Sequence, residues 1–298
     1  MTKKLFCMML ILGLSAATAN ATLVGWWKFD EAGGGDALDS APAAGANTGV
    51  SNGTTPRVAT GVAGLGLAAD LTPNGAGDNF FDVGTASGAL NPADVFSVAA
   101  WVNVKGNGGG AWGGPSSAFG FGDCCAGTAA GAADRHAFEL DIDDSPQRAI
   151  FAIDSRGNGG GEAEIITSGI GTTVGVWHHI VGVREADGSA TLYVNGSGSN
   201  GGSGLASLAP DGTVDATGGS GPDHVQNRIN LGRNPFADPS GDRAFNGHLG
   251  DVQFYHSALT AAEVSQLYNN PGTAIPEPST LLLLVVGIVG LFGSSRRR

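Results

Sequence analysis

Apolar residues recur at every second position in many short runs along this chain, and at the three-to-four spacing of a helix in only one place. Ala137 to Ile142 is the clearest run. Phe138, Leu140 and Ile142 fall on one side, and Glu139, Asp141 and Asp143 on the other. A period of two puts alternate side chains on opposite faces of a strand. Val24 to Phe29 reads the same way, with Trp26 and Lys28 alternating against Trp27 and Phe29, as does the β-branched and aromatic run Phe96 to Val104. Ala149 to Ile153 follows the turn Asp144-Ser145-Pro146. His179 to Arg184 and Ala190 to Val194 flank Ala186-Asp187-Gly188, a hairpin signal, and Asn195-Gly196 is a second tight turn. Ile229 to Leu231 and Leu249 to Tyr255 are the last strands expected.

The one helical pattern begins at Thr260-Ala261-Ala262-Glu263, which has the spacing of a capping box, and places Val264 and Leu267 on one face. Pro271-Gly272 ends it. Residues 106–133 and 197–226 are rich in Gly, Ser and Ala without periodicity and read as long surface loops. Short strands, each with one apolar face, predict two antiparallel sheets packed face to face, an all-β sandwich.

Two terminal segments stand outside that pattern. Lys3 and Lys4, the apolar run Leu5 to Leu14 and Ala19-Asn20-Ala21 have the three parts of a secretory signal with an A-x-A cleavage site, so the mature chain is expected to begin near Thr22. Pro276-Glu277-Pro278 precedes an apolar run from Leu281 to Phe292, and Arg296, Arg297 and Arg298 follow. Twelve residues at 1.5 Å rise span roughly 18 Å, short of a hydrocarbon core of roughly 30 Å. The run is a marginal transmembrane helix, and its arginines belong on the cytoplasmic side. It suits a temporary inner-membrane tether. The expected organisation is a signal peptide over residues 1–21, one domain over 22–272 and a sorting tail over 273–298.

Charge narrows the function. The chain carries 15 Lys+Arg against 27 Asp+Glu. Without the two terminal segments, which hold five basic residues and Glu277, 10 basic and 26 acidic residues remain, a net charge of −16. Such a surface repels nucleic acid and attracts cations. Beyond Cys7 in the signal, only the adjacent Cys124 and Cys125 occur. They form no disulfide framework, and with His136 the nearest histidine they make a poor zinc site. A strained vicinal disulfide or plain loop cysteines in an oxidising compartment is expected.

The tail resembles the PEP-CTERM sorting signal in Pro276, Glu277, Pro278, the apolar run and the arginine cluster. That resemblance implies recognition by an exosortase-type sorting protease and delivery to the envelope surface or exopolysaccharide matrix of a Gram-negative bacterium. The body resembles bacterial laminin-G-like domains. Val24-Gly25-Trp26-Trp27-Lys28-Phe29-Asp30-Glu31 looks like their opening, Gly175-Val176-Trp177-His178-His179-Ile180-Val181 with Ala190-Thr191-Leu192-Tyr193-Val194-Asn195-Gly196 like their signature hairpin, and Phe245-Asn246-Gly247-His248-Leu249-Gly250-Asp251-Val252-Gln253-Phe254-Tyr255 like their closing block. The resemblance implies a concanavalin-like jelly roll that binds glycans or proteins, often with calcium.

Three candidate sites follow. Asp30, Glu31 and Asp39 near the start and Asp251 in the closing strand supply carboxylates for a Ca2+ ion if the first and last strands are neighbours, because calcium takes six to eight oxygen ligands. The alternative is an acidic rim with no fixed ion. Glu139-Leu140-Asp141-Ile142-Asp143 resembles the catalytic strand of laminarinase-type glycosidases, in which two carboxyl groups act on the glycosidic bond. Asp143, one methylene short, departs from that pattern at the acid position. The plain alternative is the polar face of a half-buried strand. Trp112, in a glycine-rich loop, is a candidate ligand contact, whereas Trp26, Trp27, Trp101 and Trp177 fall at strand positions and read as core. The expected function is a non-catalytic surface or matrix protein that binds exopolysaccharide, another surface glycan or a surface protein. A glycosidase using Glu139, Asp141 and Asp143 is the alternative, and a purely structural matrix component the second.

Overall fold

The computed structural model describes residues 21–41, 47–73, 79–85, 90, 95–106, 116–122, 134–144, 147–157, 162–166, 172–186, 189–199, 228–233 and 244–276. The N-terminal signal, Trp112, Cys124, Cys125 and the tail from Glu277 through Arg296, Arg297 and Arg298 lie outside these residues. In chain order the elements are β1 (Leu23–Trp27), β2 (Val50–Asn52), β3 (Arg57–Ala59), β4 (Leu67–Asp70), β5 (Phe80–Thr85), β6 (Phe96–Val104), β7 (Ser116–Gly122) and β8 (Asp134–Asp144). There follow β9 (Gln147–Gly157), β10 (Glu162–Ile166), β11 (Trp177–Arg184), β12 (Ala190–Val194), β13 (Ser197–Ser199), β14 (Arg228–Leu231), β15 (Gly247–Tyr255) and the helix α1 (Ala261–Asn269).

The strands form two antiparallel sheets. One runs β13-β12-β11-β6-β15-β4-β3, with β1 also paired to β15, and the other runs β10-β9-β8-β7-β14-β5-β2. Side chains of every second position meet between them. Phe138 is at the centre, with ring centroids of Phe96, Phe121 and Phe119 at 4.2, 5.0 and 5.6 Å. Phe81, Leu140, Phe151, Leu231, Phe254 and Trp27 complete a core with no exposed surface on these residues. Rings of this size dominate core energetics, because each removes a large apolar area from water.

Alternation explains most of the strands. The run Phe96–Val104 is β6 from end to end, and the period-two run at Phe138–Ile142 lies within β8. The expected loop over 106–133 is corrected at Ser116–Gly122, which forms β7 between β8 and β14. Phe119 and Phe121 enter the core while Gly120 lies between them on the opposite face, so a period of two is present under residues of poor strand propensity. Asn195 and Gly196 both have positive φ, 53° and 76°, as the tight turn between β12 and β13 requires.

The outer face of the first sheet is covered rather than solvated. Leu23, Ala99, Val181, Val183 and Tyr255 form a second apolar cluster with Leu259, Val264, Leu267 and Ile275 from α1 and its flanks. The capping box forms in full: Thr260 accepts from the Glu263 N–H, and the Glu263 carboxylate accepts from the Thr260 N–H. On the same face the rings of Trp101, His179 and Tyr268 lie together, with His179 5.2 Å from Trp101 and 6.2 Å from Tyr268. Burial pushes the His179 imidazole down to about 3, so it is neutral at physiological pH.

β15 is the strand on which the first sheet turns. Through His248 and Leu249 it pairs with β4, and through Val252 to Tyr255 with β1. Its register against β6 shifts between Gly250 and Gln253. Asp251 sits at that break with φ 47°, a left-handed conformation in which Asp is among the better tolerated residues.

Candidate functional site

The acids expected around calcium are brought near one another only in part, and the carboxylate oxygens of Glu31, Asp39 and Asp251 already receive N–H groups. Trp26 links two of them: its main-chain N–H donates to Asp39 Oδ1 at 2.9 Å and its indole N–H to Asp251 Oδ1 at 2.6 Å. Asp39 also accepts from the Ala41 N–H and the Asn47 amide. Asp251 accepts from Gln253 Nε2 and, through Oδ2, from the Gly272 N–H, both at 3.0 Å. Burial pushes its carboxyl up, against those hydrogen bonds. Glu31 pairs with Arg57 at 2.9 Å and accepts the Leu38 N–H, and Asp30 is exposed. A calcium cage needs oxygen lone pairs turned towards one point. Here they are turned towards donors, and among the described residues no group of three or more His, Cys, Asp or Glu is placed to hold a metal ion. Glu31, Asp39 and Asp251, so occupied, do not form a calcium cage in this arrangement, and Asp30 is exposed. The cation beside Glu31 is Arg57, which also donates to the carbonyls of Thr55, Gly35 and Asp36.

The second candidate set lies on the outward face of the seven-stranded sheet. Register places Asp82, Asn230, Gly120, Glu139 and Ala152 in one row across β5, β14, β7, β8 and β9. The neighbouring row, Phe81, Leu231, Phe119, Leu140 and Phe151, points into the core. Asp141 follows Glu139 on the outward face, opposite Ser117 of β7. A half-buried strand leaves such a face in water, yet Glu139 is only 4% exposed, Asp141 0%, Ser117 0% and Asn230 6%. Removing a carboxylate from water costs several kcal/mol unless neighbours compensate it, and both acids are engaged by other groups. Asn230 Oδ1 and Ser117 Oγ, among the described residues, have no hydrogen-bond partner. At the edge of this face Arg228 is paired with Asp82.

Sequence reasoning found Glu139 and Asp141 by their alternation but missed Asn230 and Ser117. Neither is marked out within its own segment, and only strand pairing brings it beside the carboxylates. The side chain of Asp143 and the whole of Trp112 lie outside the described residues. Trp27 is core, as expected, with no exposed surface, Trp101 is buried on the outer face of the same sheet, and Trp26 and Trp177, also expected as core, are only half-buried.

A family model described as the concanavalin A-like lectin/glucanases superfamily matches residues 74–265, and one for the PEP-CTERM protein-sorting motif matches residues 274–298. No curated protein sequence matches the chain. Among solved structures it is similar to domain 4 of AbnA, a GH43 extracellular arabinanase from Geobacillus stearothermophilus in complex with arabinotriose, at 19% identity and TM-score 0.54, covering 84% of this chain and 99% of that one. It is similar to the binding domain of Paraclostridial Mosquitocidal Protein 1 at 15% identity and TM-score 0.51, with 84% and 52% covered. Trypanosoma rangeli sialidase in complex with the inhibitor DANA gives 16% identity and TM-score 0.51, with 86% and 34% covered, so the chain spans about half of the toxin domain and a third of the sialidase. The two-sheet antiparallel jelly roll expected from the sequence is the fold these proteins share. The sorting motif indicates export, sorting to the cell envelope and processing by exosortase-type machinery. Among the described residues no helix is long and apolar enough to cross a membrane, and the run Leu281 to Phe292 lies outside them.

Proposed function

We propose that this chain, which belongs to the concanavalin A-like lectin/glucanase superfamily, is a non-catalytic glycan-binding module of the envelope surface or exopolysaccharide matrix of a Gram-negative bacterium, tethered transiently to the inner membrane by its tail. The observation that carries this reading is the polar row on the outward face of the seven-stranded sheet, where Asn230 Oδ1 and Ser117 Oγ, among the described residues, lack partners beside Glu139 and Asp141. Sugar hydroxyls both donate and accept, so they complement carboxylates and an amide oxygen held together, and Glu139 and Asn230 keep 4% and 6% of their surface exposed. A glycosidase of this kind needs two carboxyl groups that reach the scissile bond, and here the acid position is held by the shorter Asp143.

The test is a glycan-array screen of the full chain against polysaccharides of its own matrix, repeated with Asn230→Ala and Glu139→Gln. Binding lost in both variants supports the proposal. An empty array favours a structural matrix protein, and binding to surface protein alone replaces the ligand class. Turnover of a β-1,3 or mixed-linkage glucan that Glu139→Gln abolishes replaces the reading with the glycosidase.

A further inference from the structure

The last described residues do not leave the domain at the end of α1. Gly272, with φ 76°, turns the chain back across the outer face of the first sheet, where three alternate residues of β15 hold it. The Gly272 N–H donates to Asp251 Oδ2 at 3.0 Å, Gln253 Nε2 donates to the Thr273 carbonyl at 2.8 Å, and the Ile275 N–H donates to the Tyr255 hydroxyl at 3.4 Å. The holders are joined to each other. The Tyr255 hydroxyl donates to Gln253 Oε1, and Gln253 Nε2 also donates to Asp251 Oδ1. Ile275 is 6% exposed and belongs to the second apolar cluster. Pro276, the next residue, is exposed, so packing runs three residues past the domain end expected at 272 and stops at the first residue of Pro276-Glu277-Pro278.

Enzymes that cut or grip a peptide commonly take it as an extended strand, reading several consecutive main-chain groups. In Gly272–Ile275 those groups are already bonded to β15 side chains. We propose that this strap is a processing boundary: while docked it withholds the chain on the N-terminal side of Pro276 from proteolysis, so cleavage is confined beyond Ile275 and the strap remains part of the mature domain. Its role in the cell rests on the reading of the tail as a sorting signal, but the boundary itself is a property of the fold.

Limited elastase digestion of the full chain in mild detergent, with C-termini read by intact mass, tests the boundary without the sorting enzyme. The wild type is expected to resist cutting after Thr273, Ala274 and Ile275. Tyr255→Phe and Gln253→Ala each remove one main-chain hydrogen bond and are expected to raise that cutting rate about fivefold to tenfold. Thr260→Ala, which uncaps α1 on the same face but leaves the strap bonds in place, is expected to change it by less than about twofold. Wild-type cutting after Ala274 as fast as in the urea-unfolded chain, or unchanged rates in both strap variants, overturns the proposal. Material recovered from the producing cell separates the two readings. A C-terminus upstream of Ile275 overturns the boundary, whereas chains still ending at Arg298 refute the sorting reading and leave the elastase result to decide the boundary.

Discussion

Acid sensitivity offers a quantitative probe of the covered face. His179 is buried beside Trp101 and Tyr268, its Nδ1 has no partner among the described residues, and burial lowers its pKa from 6.5 to about 3. Between those values the unfolded chain binds a proton that the folded chain does not. Stability is therefore full above the unfolded pKa and falls as pH drops below it. At pH 4.5, two units below 6.5, the loss from this one residue is about 3 kcal/mol, and it rises to about 4 kcal/mol near pH 3. His179→Phe keeps an aromatic ring in the stack and removes both the titration and the unpaired nitrogen. Burial lowers His178, His248 and His256 as well, with the same sign, but these contributions are common to both proteins and cancel in the comparison. Urea unfolding at pH 7.5 and pH 4.5 should show the wild type losing about 3 kcal/mol more than the variant. An NMR titration of the folded protein should leave His179 neutral down to about pH 4. Equal losses in the two proteins, or an imidazole that titrates near 6.5, would refute the reasoning.

Other outcomes follow from local geometry. Arg57→Ala strands the Glu31 carboxylate and uncovers the paired rings of Phe29 and Phe81, whose centroids lie 5.5 and 5.3 Å from the guanidinium, and should cost about 3 kcal/mol in a denaturant melt. Gly182→Ala puts a methyl into the buried ring of Phe151 and should cost about 1–3 kcal/mol, read as a lower urea midpoint. Thermal melts in excess calcium and in chelator should coincide, because Glu31, Asp39 and Asp251 are occupied by N–H donors. A rise of about 5 °C with calcium would instead show a cation cage at work.

The strands most legible in the sequence were those whose outward residues are chemically distinct from the inward ones, such as β8 with its carboxylates against Phe138 and Leu140. β7 hid because glycine and serine fill its outward positions and mimic a loop. The helix was legible because a capping box is a local device: both of its hydrogen bonds lie within four residues. The candidate face was half legible. Spacing along one strand reveals Glu139 and Asp141, but Asn230 comes from a strand about ninety residues downstream, and no local pattern announces a cross-strand row. The carboxylates near the two ends show the same limit. Sequence shows that acids are present, not which N–H groups fold onto them, and Trp26 with the Gly272 turn settles that for Asp39 and Asp251.

The change of partners along β15 has a consequence for the order in which the molecule is built. β1 is the first strand to emerge from a membrane channel and β15 the last, yet they are hydrogen-bonded neighbours, and the Trp26 indole reaches Asp251 across 225 residues of chain. Contacts so distant in sequence are slow to form, because the loop must close before pairing rewards it. The N-terminal strand of an exported chain, bridged locally only to Asp39, must therefore wait for β15 until almost everything else has crossed. Closure of the first sheet then reports that the described strands of the domain have all crossed, about twenty residues ahead of the sorting motif.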